Sequence, residues 1–209
     1  MPTLANMEKV NGIVISGASA PTDRHILLGT QTASSSATLS FSGINSHRSD
    51  VLRSSFDVLE FRFTNMHPQT DGDYFGFQVN AAGETGFNET ITSATFISFH
   101  KEDDSDDRLL YDVNHDQAQG TAYQRLTHYQ GNDNDQAASG VLTLYAPSST
   151  TYVKQFTARI NEAHGGDFTT DNYTGGYINT TAAIDEISFK MSSGNIDAGV
   201  IKMYGIAKA

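Results

Sequence analysis

The chain contains no cysteine, which excludes a disulfide framework, a thiol nucleophile and every thiolate metal site. It also contains no tryptophan, the ring best suited to stacking on sugars and bases. Basic residues are scarce, with 13 Lys+Arg against 24 Asp+Glu and a formal net charge of -11. A field of that sign repels phosphate backbones and anionic lipid, and no local basic patch offsets it, so neither nucleic acid nor a membrane surface is an expected partner. No segment approaches the ~20 consecutive apolar residues needed to cross a bilayer as a helix. Residues 1–19 lack the basic start and long apolar core of a secretory signal, Gly12-Ile13-Val14-Ile15 being too short a run. Release in the cytoplasm of the producing cell is therefore expected.

What remains is a chain of 209 residues with 38% apolar content, enough for one sizeable β-domain. Charged residues make up 18%, below the roughly one quarter of ordinary domains, and Ser, Thr, Asn and Gly take the vacant surface positions. Period-2 alternation is the dominant pattern. Leu59, Phe61 and Phe63 fall on one face and Glu60, Arg62 and Thr64 on the other, and Ile187, Phe189 and Met191 alternate with Ser188 and Lys190. The same reading predicts strands at 26–32, 37–41, 56–65, 74–79, 95–100, 122–130, 141–145, 152–160, 173–179, 187–191 and 200–206, about eleven in all. Hairpins are expected between 141–145 and 152–160, through Pro147, and between 187–191 and 200–206. Only residues 108–119 could hold a turn or two of helix. Strands without crossover helices imply an all-β antiparallel sandwich, jelly-roll-like, at residues 23–209, preceded by an N-terminal arm at 1–22. The apolar Ile13, Val14 and Ile15 suit that arm to anchoring on a neighbouring subunit, each supplying on the order of 1–2 kcal/mol if buried there.

Chemistry-bearing residues are dispersed. Glu102, Asp103, Asp104, Asp106 and Asp107 form the densest carboxylate cluster; Asp103, Asp104 and Asp106 are candidate calcium ligands, and a solvated acidic loop is the preferred reading over a metal site. Asp112, Asn114 and Asp116 match the start of an EF-hand loop, but Gln117 replaces the required glycine and Tyr123 the bidentate glutamate. No serine sits in a G-x-S-x-G elbow, and no H-E-x-x-H occurs among the 7 histidines. These absences favour a non-enzymatic protein. For glycan contact the candidate rings are Tyr123 and Tyr129, placed by alternation on one face with Arg125 and Thr127, and Tyr173 and Tyr177 beside Gly175-Gly176. Packing across strands or anchoring at an interface is the competing role for such tyrosines.

The run Leu28-Gly29-Thr30-Gln31-Thr32-Ala33-Ser34-Ser35-Ser36-Ala37-Thr38, the strand Phe61-Arg62-Phe63-Thr64-Asn65-Met66-His67-Pro68 and the turn Gly131-Asn132-Asp133-Asn134-Asp135-Gln136 carry a more specific signal. With Ala183-Ile184-Asp185-Glu186-Ile187 and Gly194-Asn195-Ile196-Asp197-Ala198-Gly199-Val200-Ile201-Lys202-Met203-Tyr204-Gly205-Ile206, they resemble short virion structural proteins of marine tailed bacteriophages, of the decoration or fibre type. The resemblance spans residues 28–206. It implies a jelly-roll or sandwich domain, often a homotrimer, mounted on the capsid or tail among other virion proteins. It implies no cofactor and no catalytic residues. Recognition of a host surface glycan by a fibre or knob is the alternative role.

Overall fold

The computed structural model describes residues 7–10, 13–16, 25–44 and 56–207. Among these there is no helix, and every strand pairing is antiparallel. The chain is an all-β sandwich. β1 (Met7–Val10) and β2 (Ile13–Ser16) form a two-stranded sheet of their own. Ile13, Val14 and Ile15 pair there with Val10, Lys9 and Glu8. The anchoring expectation concerns their side chains and lies outside the described part, as does the expected boundary between arm and sandwich at residues 22 and 23.

The remaining strands are β3 (His25–Ser36), β4 (Leu39–Ser42), β5 (Phe56–Pro68), β6 (Phe75–Ala81), β7 (Ile91–Lys101), β8 (Asp107–Tyr111), β9 (Ala118–Gly120), β10 (Gln124–Arg125), β11 (Ala138–Tyr145), β12 (Lys154–His164), β13 (Phe168–Ile178), β14 (Ile184–Met191) and β15 (Ile196–Ala207). Nine of them form one sheet, in the order β3-β15-β5-β11-β12-β13-β7-β8, with β9 also pairing β7. The facing sheet has four strands, β10-β6-β14-β4. Alternation is the reason these segments pack as they do. On β5, Leu59, Phe61 and Phe63 are buried; on β12, Phe156, Ala158 and Ile160 point inward between exposed neighbours.

Phenylalanines from both sheets interlock at the centre. Phe189 on β14 meets Phe61 and Phe63 on β5 at 5.5 and 5.3 Å between centroids, and Phe75 and Phe41 at 5.9 and 6.4 Å. Edge-to-face contacts dominate, the geometry the ring quadrupole favours. Phe77 on β6 meets Phe156 on β12 at 5.1 Å.

Three expectations need correction. Residues 122–130 do not form one strand: only Gln124–Arg125 pairs in β10, and Leu126 and Thr127 are both buried. The chain is irregular there because both sides of it meet protein; Leu126 N–H donates to the Phe75 carbonyl and Thr127 Oγ1 accepts from Phe75 N–H. Residues 108–119 hold no helix but run through β8, a turn and β9. The last two strands are not a hairpin, since β14 lies in the four-stranded sheet and β15 between β3 and β5 in the other. The loop joining them is held across the sandwich edge. The Asp73 carboxylate accepts from Ser193 N–H at 3.1 Å, and Gln69 exchanges bonds with Asn195 at 3.0 and 3.1 Å. Gly199, at φ 128, lets β15 pass a bulge where a Cβ would stand 2.8 Å from the Asn65 carbonyl.

Because Phe189 touches rings from both sheets, Phe189→Ala is expected to lower unfolding free energy by about 3–5 kcal/mol in a urea titration. Tyr152→Ala, at a side chain 70% exposed, should stay within about 0.5 kcal/mol.

Candidate functional site

The edge of β7 is shared. β8 pairs with residues 96–100 and β9 with 91 and 92, and between them the chain leaves the sheet plane. Asp112 N–H still donates to the Thr95 carbonyl at 2.9 Å, and Ser93 N–H donates to the Gln117 carbonyl at 2.9 Å. The residues between these anchors turn inward, burying Asp112 and His115 under the sheet's inner face. Asp112 Oδ1 accepts from Asn114 N–H at 2.9 Å and the Asp112 carbonyl accepts from His115 N–H at 3.3 Å, which fixes the turn. The His115 carbonyl accepts from Gln124 Nε2 at 2.7 Å.

His128 approaches from the segment that covers this half of the sheet, its backbone N–H donating to Glu162 Oε1 at 2.7 Å. Three donors thereby converge. Asp112 Oδ2 lies 2.5 Å from His115 Nδ1 and 3.5 Å from His128 Nε2, and the ligand atoms of the three residues lie within 4.8 Å of one another. Asp112 Oδ2 and His115 Nδ1 are nevertheless unaligned for a hydrogen bond, and His115 Nε2 and His128 Nδ1 also have no partner. Aromatic walls close the space. Tyr74 packs 5.2 Å from His115 and 5.0 Å from Tyr129, the Arg125 guanidinium sits 4.1 Å over the Tyr74 ring, and His164 lies 5.5 Å from His128.

Burial dominates the electrostatics. It pushes the His115 imidazole down to about 4, against the pull of the Asp112 carboxylate and aided by His128 and Arg125. Burial lowers His128 as well and brings His164 down to about 4. Glu162 is driven well above the ordinary carboxyl range by its own burial, the His128 N–H acting in the opposite sense. Burial and the neighbouring Tyr129 raise Tyr74 to about 12. Around neutral pH the imidazoles are uncharged, with lone pairs free to bind. Two imidazoles and one carboxylate form a donor set for a transition-metal ion. Tyr74 keeps its proton and serves as a wall, and Glu162 supports His128 from behind through the backbone N–H.

Of the residues singled out from sequence, Asp112 lies in this cluster and Tyr129 at its border, and the others lie elsewhere. Asp103, Asp104 and Asp106 each turn to a local partner: Ser105 N–H at 3.0 Å, His100 Nε2 at 3.2 Å and Arg108 at 2.9 Å. The four tyrosines do not gather. Lys190 Nζ covers Tyr123 at 4.4 Å, and Phe96 stacks on Tyr173 at 4.7 Å and 4°, with Arg159 at 5.1 Å from that ring. Tyr177 is half-buried opposite Thr92, and Tyr129, 47% exposed, borders the histidine cluster. Asn172 is buried and donates to the Ile160 carbonyl.

Among the described residues, an exposed apolar strip runs along the β8 edge. Leu109 is 73% exposed, Val113 70%, Tyr111 54% and Phe96 45%. Tyr111, Phe96, Tyr173 and Arg159 stand in successive cross-strand register on the outer face of the larger sheet. The Arg159–Asp171 pair, 2.7 Å, and the Arg108–Asp106 pair rim the strip with charge.

The sequence reading passed over the convergence of Asp112, His115 and His128 because their separations match no local metal motif. No local signal marks it, since residues 122–130 read as an alternating strand with His128 as one of its side chains.

A group held below its unfolded pKa contributes stability in full above about 6.5, and that contribution is lost as pH falls through the folded value. With chelator present, wild type should lose roughly 1–3 kcal/mol relative to His115→Gln between pH 6.5 and 4, followed by urea titration. Glu162, raised by burial, has the opposite sign, its contribution being lost as pH rises. Glu162→Gln should therefore show a steeper acid loss than wild type, and parallel profiles for all three proteins would contradict this electrostatic reading.

Comparison with known proteins finds no match to this chain among family models, curated proteins or solved structures.

Proposed function

We propose that this protein is a non-enzymatic structural component of a tailed-phage virion, a decoration or fibre-type β-sandwich whose copies associate through the β8 edge. The observation that carries the reading is the strip of Phe96, Leu109, Tyr111 and Val113, an apolar centre with a charged rim, as association surfaces are built. A terminal strand also offers unpaired backbone groups for uncontrolled strand addition unless something covers it. A second copy of the same chain in a closed ring is the occupant that supplies both cover and symmetry. The resemblance to phage virion proteins supports a trimer, with the N-terminal hairpin mounting it on other virion proteins. An acidic outer surface keeps many closely spaced copies away from one another and from the packaged genome.

Recognition of a host surface glycan is the second reading, and the exposed Tyr129 ring beside Tyr74 favours it. The covered faces of Tyr123 and Tyr173 make assembly the better account of the remaining tyrosines.

Light scattering should give a trimer for wild type and a monomer for Leu109→Lys/Val113→Lys with unchanged circular dichroism. A wild-type monomer at all concentrations up to about 100 μM would reject the edge as the association surface. Deleting residues 1–20 should leave the trimer folded but absent from particles in immunogold labelling, whereas normal incorporation would refute the anchor.

A further inference from the structure

We infer that Asp112, His115 and His128 bind one divalent transition-metal ion of the zinc class, which fastens the turn at the open edge of β7 to the segment covering the inner face. The geometry carries this. Asp112 and His115 are each 4% exposed, and Asp112 Oδ2 and His115 Nδ1 come within 2.5 Å without hydrogen-bond alignment. Buried polar atoms are normally paired, because leaving one unpaired costs about 1–3 kcal/mol. Here two of the orphaned atoms, Asp112 Oδ2 and His115 Nδ1, face each other with His128 Nε2 beside them, so a single ion satisfies what separate hydrogen bonds do not.

The dimensions agree with such an ion. Metal–ligand bonds of about 2.0–2.2 Å at tetrahedral angles place ligand atoms roughly 3.3–3.5 Å apart. Asp112 Oδ2 and His128 Nε2 are already 3.5 Å apart, and the Asp112–His115 contact at 2.5 Å must open by under about 1 Å. Calcium is a poor fit, since it takes six to eight oxygens and two of these three donors are imidazole nitrogens. Imidazole with carboxylate suits zinc, nickel, copper or iron. Each ligand is also held from behind. Asp112 Oδ1 accepts from Asn114 N–H, the His115 carbonyl accepts from Gln124, and the His128 N–H bonds buried Glu162. Three protein ligands leave a fourth position for water.

The exposed His100–Asp104 pair, 3.2 Å apart, provides an internal control, being a histidine and a carboxylate without burial or a third ligand. Tag-free full-length protein, stripped with chelator, is titrated with Zn2+ by calorimetry and with Co2+ by visible absorption. One ion per chain with Kd of about 1 μM or tighter, four-coordinate Co2+ bands and a rise in Tm of about 5–15 °C are expected. His115→Gln and His128→Gln should each weaken binding at least about 100-fold, while His100→Gln should leave it unchanged. Binding weaker than about 1 mM, or unchanged in His115→Gln, overturns the inference. Should either ligand variant fail to fold, X-ray absorption on the zinc-loaded wild type decides, with two imidazoles in the first coordination sphere supporting the site and fewer than two rejecting it.

Discussion

Nine strands face four, and this difference in width shapes the rest of the molecule. Where the sheets overlap, phenylalanines from both fill the gap and the core is apolar. Where the larger sheet overhangs, the inner faces of β7, β12 and β13 carry Thr95, Glu162, Thr170, Asn172 and Thr174, all buried. Polar groups are costly to leave there unpaired. The cover must supply hydrogen bonds as well as bulk, and the irregular segment around 112–130 does so through Gln124, which accepts from Ser93 Oγ, and the His128 N–H, which donates to Glu162. A regular strand would present alternate side chains to one face only. The covering segment instead buries Leu126 and Thr127 in succession and turns Tyr129 through φ 23.

The same constraint separates what was legible in the sequence from what was not. Strands such as β5, β12 and β14 lie between a packed face and an exposed or lightly covered one, so alternation revealed them. The hairpin of β11 and β12 was legible because Pro147 lies in the short connection between two strongly alternating segments. The connection from β14 to β15 has the composition of a hairpin turn, yet it crosses between sheets because Asp73 and Gln69, more than a hundred positions earlier, hold it. Nothing local records such a contact. Asp112 drew notice only for a calcium-loop pattern that fails at Gln117 and Tyr123. Its real neighbours are His115, in the turn between β8 and β9, and His128, on the segment that covers the inner face, a meeting set by sheet topology.

The proposed association surface and the buried cluster meet at one edge. β8 carries the exposed strip, and the chain dives into the interior immediately after Tyr111, so Asp112 couples the position of the strip to the interior. Tyr111 makes the same link from outside, its hydroxyl donating to Asp116 at 2.6 Å. An ion bound by Asp112, His115 and His128 would hold the end of β8 in place, and a fixed edge loses less conformational entropy on meeting another copy.

Hydrogen–deuterium exchange, recorded on chelator-treated protein with and without Zn2+, tests the central claim most directly: that a bound ion secures the polar cover over the overhanging sheet. The account predicts that Zn2+ slows exchange across residues 112–130 and at the end of β8, while β5, β6 and β14 around Phe189 stay unchanged. Equal exchange in both states, or a slowing spread uniformly over the sandwich, would contradict it.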